Sequence, residues 1–254
     1  MIKFFRKIRK QLLSEKKFGN YLLYAVGEIV LVVIGILIAL AIDNSNDNRI
    51  KREKEQVYLT GLQQEFNISK HKLQELIKVN RESYESAKRI VGFMDATTQP
   101  SEKELSQLFG RAFSFDIFFN PNNSLLNEMI NSGSLKDISN DLLRIRLTNW
   151  IATIDDIAKQ EKMLDNQRTN VIDLFTQQGY SIRTVLDTMG TSADLGIPVA
   201  ENPDSNLTIL DSKSFENNLL LFIITSQATE TEHYTPLLQQ LDAILELLEG
   251  EIKG

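Results

Sequence analysis

Between Leu22 and Ile42 the chain reads LLYAVGEIVLVVIGILIALAI, apolar on every face of a helix. About 21 residues at ~1.5 Å each make roughly 31 Å, the thickness of a bilayer's hydrocarbon core. A core helix of a soluble domain keeps a polar stripe, and this run has none, so it predicts a transmembrane helix over 22–42. Past it the pattern changes to one apolar position every three or four residues. From Gln56 to Met94 the seam is Leu59, Leu62, Phe66, Ser69, Leu73, Leu76, Asn80, Ser83, Ala87, Ile90 and Met94. From Asp141 to Gln178 it is Leu143, Leu147, Trp150, Ile154, Ile157, Glu161, Leu164, Arg168, Val171 and Phe175, and Gly179 ends it. From Ser214 to Glu249 it runs through Leu219, Phe222, Ser226, Glu230, His233, Leu237, Leu241, Ile244 and Leu248. Each is the stripe of a long amphipathic helix, and Pro236 is expected to kink or divide the third.

The stretches between are shorter. Ser101 is a candidate N-cap for a helix over Glu102–Arg111, and Gly133 suits the end of one over Ser124–Asn131. Residues 180–212, with GTSADLGIPVAENPDSN, predict a long loop. The fold class expected is all-α: a single N-terminal transmembrane helix, then an extracytoplasmic antiparallel bundle of three long helices plus short helices. The short helices and FSFDIFFNP would cap the carboxyl end of the first long helix, with the 180–212 loop at the opposite end. Within FSFDIFFNP, Phe113, Phe115, Phe118 and Phe119 are expected in the core, as aromatic clusters usually are.

Charge orients this arrangement. Lys3, Arg6, Lys7, Arg9, Lys10, Lys16 and Lys17 precede the span, opposed only by Glu15. A head so basic stays on the cytoplasmic side and, with its interleaved Phe4, Phe5, Ile8, Leu12 and Leu13, suits an amphipathic helix on anionic lipid. The boundaries drawn are a head over 1–21, the span over 22–42 and an extracytoplasmic domain over 43–254. Ala39-Leu40-Ala41 offers a formal signal-peptide cleavage site, but the apolar run is long enough to span and favours an uncleaved anchor. With 254 residues, 42% hydrophobic and 24% charged, the chain can bury one sizeable core. Its net charge is −6, and subtracting about +6 for the head leaves the remainder near −12, which excludes nucleic acid as a partner. No cysteine is present, so neither disulfides nor thiol chemistry enter.

Few residues carry candidate chemistry. Glu28 is the one ionisable group in the span. Intramembrane carboxylates can mark ion pathways, but one carboxylate in one span forms no pathway, and interfacial snorkelling or pairing is the simpler reading. Gly35 and Ala39, four apart, make a small-residue face where two such helices would pack, and a homo-oligomer is expected. Asn80, Glu161, Glu230 and His233 fall mid-helix on the three seams and would form a buried polar layer. Such a layer sets register in long bundles; the alternative is a small-ligand pocket. Glu230-x-x-His233 matches half of a di-iron carboxylate motif, which needs two copies and further glutamates. Asp43, Ser45 and Asp47 alternate as in a calcium loop, but Asn48 and Lys54 stand where glycine and glutamate are required. Asn206-Leu-Thr208 fits a glycosylation sequon. No catalytic, cofactor-binding or metal-ligating residue is assigned, and no cofactor is expected.

The head MIKFFRKIR, the span core GEIVLVVIGILIAL and the mid-chain SGSLKDISNDLLRIRL resemble a family of small bacterial single-pass membrane proteins, domain of unknown function 6090. Residues 1–42 carry the specific part of the resemblance and 132–147 a looser part. It implies an envelope location and one span near the amino terminus, and brings no activity, cofactor or residue role. The expected function is a membrane-anchored, non-enzymatic interaction or assembly module of the cell envelope, with the lipid bilayer, a second copy and an envelope protein as partners. The alternative is an extracytoplasmic ligand-sensing domain acting through a partner protein.

Overall fold

Helix α1, Phe18–Met94, takes up the apolar run and the first amphipathic run without interruption. The computed structural model describes residues 18–177 and 179–253; the predicted basic head lies almost wholly outside them. The chain divides into two units, Met1–Val57 and Tyr58–Gly254. In the first, Leu31, Ile36 and Ile42 stand 70%, 55% and 66% exposed, so this run is not buried within its own chain. The polar stretch after Ile42, DNSNDNRIKRE, continues the same helix. Asp and Asn are only mildly unfavourable in a helix interior, each by a few tenths of a kcal/mol. The Arg49–Glu53 pair at 2.8 Å and the Arg49–Asn46 hydrogen bond at 3.1 Å offset part of that.

The second unit begins at Tyr58 and is built on the remainder of α1. Its other α-helices are α2 (Glu102–Phe113), α3 (Ser124–Ser132), α4 (Asp141–Gln177), α5 (Ile182–Met189), the single turn α6 (Thr191–Asp194), α7 (Lys213–Ala228) and α8 (Thr235–Lys253), with 3-10 turns at Ser134–Asp137 and Leu207–Asp211. A π-helical turn, Thr229–Tyr234, joins α7 to α8. No strand occurs among the described residues, so the fold is all-α. Ser101 caps α2 by accepting from the Glu104 N–H, and Gly133, at φ 71°, closes α3 in the left-handed conformation, where glycine meets no Cβ penalty.

Cross-helix pairs fix the directions. Asn80 meets Ser226 and Lys70 meets Asp242, so α7 and α8 run antiparallel to α1. Asn140 meets Glu251 and Gln160 meets Thr229, so they are antiparallel to α4 as well. α1 and α4 are therefore parallel, which requires another segment to return the chain between them. Residues 102–126 do so: Glu104 lies against Arg89, Asn122 against Ser69 and Leu125 against Glu65. This corrects the expectation that the short helices cap one end. The 180–212 segment is also displaced from its predicted end, because Ser205 and Asn206 donate to Glu102 Oε2 at 2.8 and 2.9 Å, just beyond the carboxyl end of α1.

The 180–212 segment is ordered by polar anchors where sequence predicts a loop. Asn206 is buried; its Nδ2 donates to the Ser181 carbonyl at 3.0 Å, and its Oδ1 accepts from the Ser181 N–H at 2.7 Å. That removes the sequon from consideration, since the amide a glycan would need is enclosed and engaged. Asp187 accepts from the Ala200 N–H at 3.0 Å. That bond first, then the Ser192 hydroxyl and Arg183, hold its carboxyl below the ordinary value.

The core follows the seams. Along α4, Leu143, Leu147, Trp150, Ile157, Glu161, Leu164, Val171 and Phe175 are all buried. The phenylalanine cluster divides: Phe113 and Phe119 are buried, but Phe115 and Phe118 are 59% and 48% exposed. Burial alternates over 117–119, with Ile117 and Phe119 inward and Phe118 outward, while Phe115 lies at the bend that follows α2. At Gly110 the α2 backbone meets the end of Met189 from α5, whose sulfur and terminal methyl crowd the place where a Cβ would stand. Met189 is 38% exposed, so its flexible end has room to move. Gly110→Ala is expected to change unfolding stability by less than about 1 kcal/mol, since helix propensity gains about that much. Urea denaturation checks it; a loss beyond about 2 kcal/mol would show that Met189 is held in place.

Candidate functional site

The polar positions expected to form a layer in the middle of the bundle are each held by a different partner. Asn80, on α1, is fully buried. Its Oδ1 accepts from the Ser226 hydroxyl at 2.5 Å, and its Nδ2 donates to the Ser226 carbonyl at 3.0 Å. Both halves of the amide are thereby used, as an enclosed amide requires. Glu230 is 5% exposed and receives the guanidinium of Arg81, whose Nε donates at 2.9 Å. Arg81 is itself 60% exposed at the side chain, so this ion pair sits at the rim and contributes little. Burial first, then the Glu230 charge, raise the neighbouring Tyr84 hydroxyl above its ordinary value. Gln160 Nε2 donates to the Thr229 hydroxyl at 3.0 Å, and that hydroxyl donates to the Thr225 carbonyl at 2.8 Å.

Glu161 is the most enclosed acid of the group, 2% exposed. Its Oε1 accepts from the Tyr234 hydroxyl at 2.7 Å and from the Phe119 N–H at 2.8 Å. Burial pushes the carboxyl up from its ordinary range, and the two hydrogen bonds only partly oppose this. Tyr234, completely buried, is pushed far up in turn by its own burial and by the Glu161 charge. Desolvation penalises the ionised form of each, and the hydroxyl donates to the carboxyl oxygen.

The structure therefore buries Asn80, Glu161 and Glu230, but no hydrogen bond joins any of the three to another. The fourth expected member, His233, is only half-buried, and Tyr234 takes the inward place. The cause is the π turn, whose i→i+5 bonding takes up one more residue than an α turn and rotates the next inward position by one. Pro236, which lacks an N–H, explains why the turn falls here. The Glu230 carbonyl accepts from the Thr235 N–H and from its hydroxyl at 2.9 Å. Pro236, immediately before Leu237-Leu238, was the sequence signal for this shift.

Sequence reasoning also missed what the layer does to residues 114–123. That stretch has no regular structure and is held by side chains from both long helices. Arg168 donates to the Phe113 carbonyl through Nε and Nη2 at 3.1 and 2.6 Å and pairs with Asp116 at 3.1 Å. Glu161 takes the Phe119 N–H, Lys72 donates to the Asn120 carbonyl at 3.0 Å, and Trp150 donates to Asn123 Oδ1 at 2.9 Å. Glu65 accepts from the Leu125 N–H at 2.8 Å, supplying from α1 the N-terminal cap that α3 lacks locally.

The remaining candidates lie elsewhere. Glu28 is half-exposed on α1, and Gly35 and Ala39 face open space, with nothing in the chain within 4 Å of a Cβ built at Gly35. His71 is exposed on α1. Among the described residues no group of three or more His, Cys, Asp or Glu side chains is close enough to hold a metal ion.

An all-α chain with one helix long and apolar enough to cross a membrane is the class these observations define. The chain belongs to the family of unknown function DUF6090, whose model matches residues 28–181. That match begins within the apolar run, takes in the rest of α1, the returning segment and the whole of α4, and stops short of α5. No curated protein and no solved structure matches the chain.

Proposed function

We propose that the chain is a membrane-anchored, non-enzymatic interaction or assembly module of the bacterial envelope, its amino terminus cytoplasmic and its helical unit on the other side. The observation that supports this is the apolar window near the amino terminus, of mean hydropathy 2.9 and with none of it buried within the chain. Exposing so much apolar surface to water is costly, about 25 cal/mol per Å², and lipid removes that cost. Asn80 and Glu161 are engaged by Ser226, Tyr234 and the 114–123 segment, an arrangement that fixes register and orders a loop. A second copy, meeting the first through Gly35 and Ala39, is the partner the span favours.

The test is fractionation. The chain is expected to stay with membranes through carbonate washing, and protease added to intact spheroplasts is expected to degrade the 43–254 region. A double substitution Val33→Arg and Ile36→Arg, costing about 2.5–3.5 kcal/mol per charge at mid-membrane, is expected to release the chain into the soluble fraction. Release of the unaltered chain by carbonate, or protection of its helical unit from external protease, overturns the proposal. The second reading, a ligand-sensing domain acting through a partner, is favoured by one feature, a concave polar groove between α1 and α2.

A further inference from the structure

That groove has a volume of about 230 Å³ and is lined by Arg89 from α1, by Ser101, and by Lys103, Glu104, Gln107 and Arg111 from α2. Lys103, Gln107 and Arg111 recur every fourth residue, so they share one face of α2 and span about 12 Å along it. Arg89 stands across from them. The single acid, Glu104, approaches Arg89 at 3.4 Å, a long contact between groups 43% and 58% exposed. Lys103 and Arg111 have no ion pair in the described structure. The lining therefore carries three cations against one anion, on a body whose net charge is strongly negative.

Like charges gathered without counter-charges repel one another, and an anion seated among them relieves that repulsion. The chemistry is specific to oxyanions. Arginine offers a planar fork of N–H donors that fits carboxylate or phosphate oxygens in pairs, and Lys103 adds a point charge at the other end. Gln107 supplies neutral hydrogen bonds between them. The Ser101 hydroxyl oxygen accepts from the Glu104 N–H at 3.1 Å, which leaves its proton free to donate outward. The amino-terminal end of α2, a helix of 12 residues, contributes its positive dipole at the Lys103 end.

We propose that this groove binds a small polyvalent oxyanion, a molecule with two or more carboxylate or phosphate groups spaced to reach both Lys103 and Arg111. The site belongs to the second reading of the function and rests on it. Its test does not involve membrane topology, so the two fail separately.

The experiment is isothermal titration of the full chain in neutral detergent at low ionic strength, with citrate and with pyrophosphate as separate probes. Saturable one-to-one binding of at least one probe is expected. Saturation by citrate alone assigns a carboxylate ligand; saturation by pyrophosphate alone assigns a phosphate ligand. The double substitution Lys103→Gln and Arg111→Gln is expected to weaken binding about tenfold or more, the loss of a charge-assisted hydrogen bond. Lys78→Gln with Lys162→Gln removes the same charge from exposed sites elsewhere on α1 and α4 and is expected to leave binding unchanged. Equal weakening in the two double variants would reveal diffuse attraction and overturn the proposal, as would no saturable binding of either probe. All four substituted residues are exposed, so matching melting curves will confirm that each variant is folded.

Discussion

Trp150→Ala is expected to lower unfolding stability by about 3–5 kcal/mol, the range for deleting a large aromatic side chain from a closed core. Trp150 has no solvent exposure. Its ring stands 5.1 Å from Phe66 of α1 and meets Phe119 edge-on at 6.3 Å, so one side chain joins α1, α4 and the extended segment. The substitution opens a cavity at their junction, and it also leaves Asn123 Oδ1 without its donor. For a unit of this size, about 2–4 °C of melting temperature accompanies each kcal/mol, so calorimetry will read a drop of roughly 6–20 °C. Trp150→Phe keeps an aromatic ring but no N–H, and is expected to cost about 1–2 kcal/mol. If the two variants are equally damaged, the hydrogen bond to Asn123 matters more than the packing, and the junction described here is wrong.

What sequence made legible follows from how each element is stabilised. The α4 seam was readable nearly residue by residue, because a helix packed along one face writes its burial at 3.6-residue spacing. The same logic placed Leu59, Leu62, Phe66, Asn80 and Ile90 inside on α1. It failed at His233 because periodicity assumes an α turn throughout, and the π turn before Pro236 moves the inward position to Tyr234. The 180–212 segment looked loose because its order comes from Asn206, Asp187 and Glu102, polar groups whose partners are distant in sequence or on the backbone. Nothing in local composition announces a bond from Glu102 to residues 205 and 206. Phe115 and Phe118 were placed in the core by composition; at Phe118 the local alternation with Ile117 and Phe119 decides which neighbour faces in, and Phe115 lies at the bend after α2. Of the candidate layer, the polar residues were legible as interruptions of apolar seams. Their partners were not, since Phe119 and Arg81 are recognisable only after the returning segment and the third helix have been laid against α1 and α4.

Glu161 provides the second large effect. Glu161→Ala removes the one acceptor shared by the Phe119 N–H and the Tyr234 hydroxyl. Both donors are buried, and leaving a buried donor unsatisfied costs about 1–3 kcal/mol, so a loss of about 2–4 kcal/mol is expected. Glu161→Gln is different, because the amide oxygen accepts both bonds and the side chain carries no charge to desolvate. It is expected to match the unaltered protein or exceed it at neutral pH. The sign of the pH dependence follows from the direction of the shift. The carboxyl's native value lies above its ordinary value of 4.5, so between the two the folded chain binds more protons than the unfolded one. Stability from this group is therefore fully present at or below the ordinary value and declines as pH rises towards the raised one. Urea midpoints measured from pH 4.5 upward are expected to show this decline in the unaltered protein and to lose that component in Glu161→Gln. A glutamine variant as unstable as the alanine variant would mean that the ionised carboxylate is what Tyr234 and Phe119 hold. Glu161 would then be a buried charge kept for a purpose other than ordering the 114–123 segment.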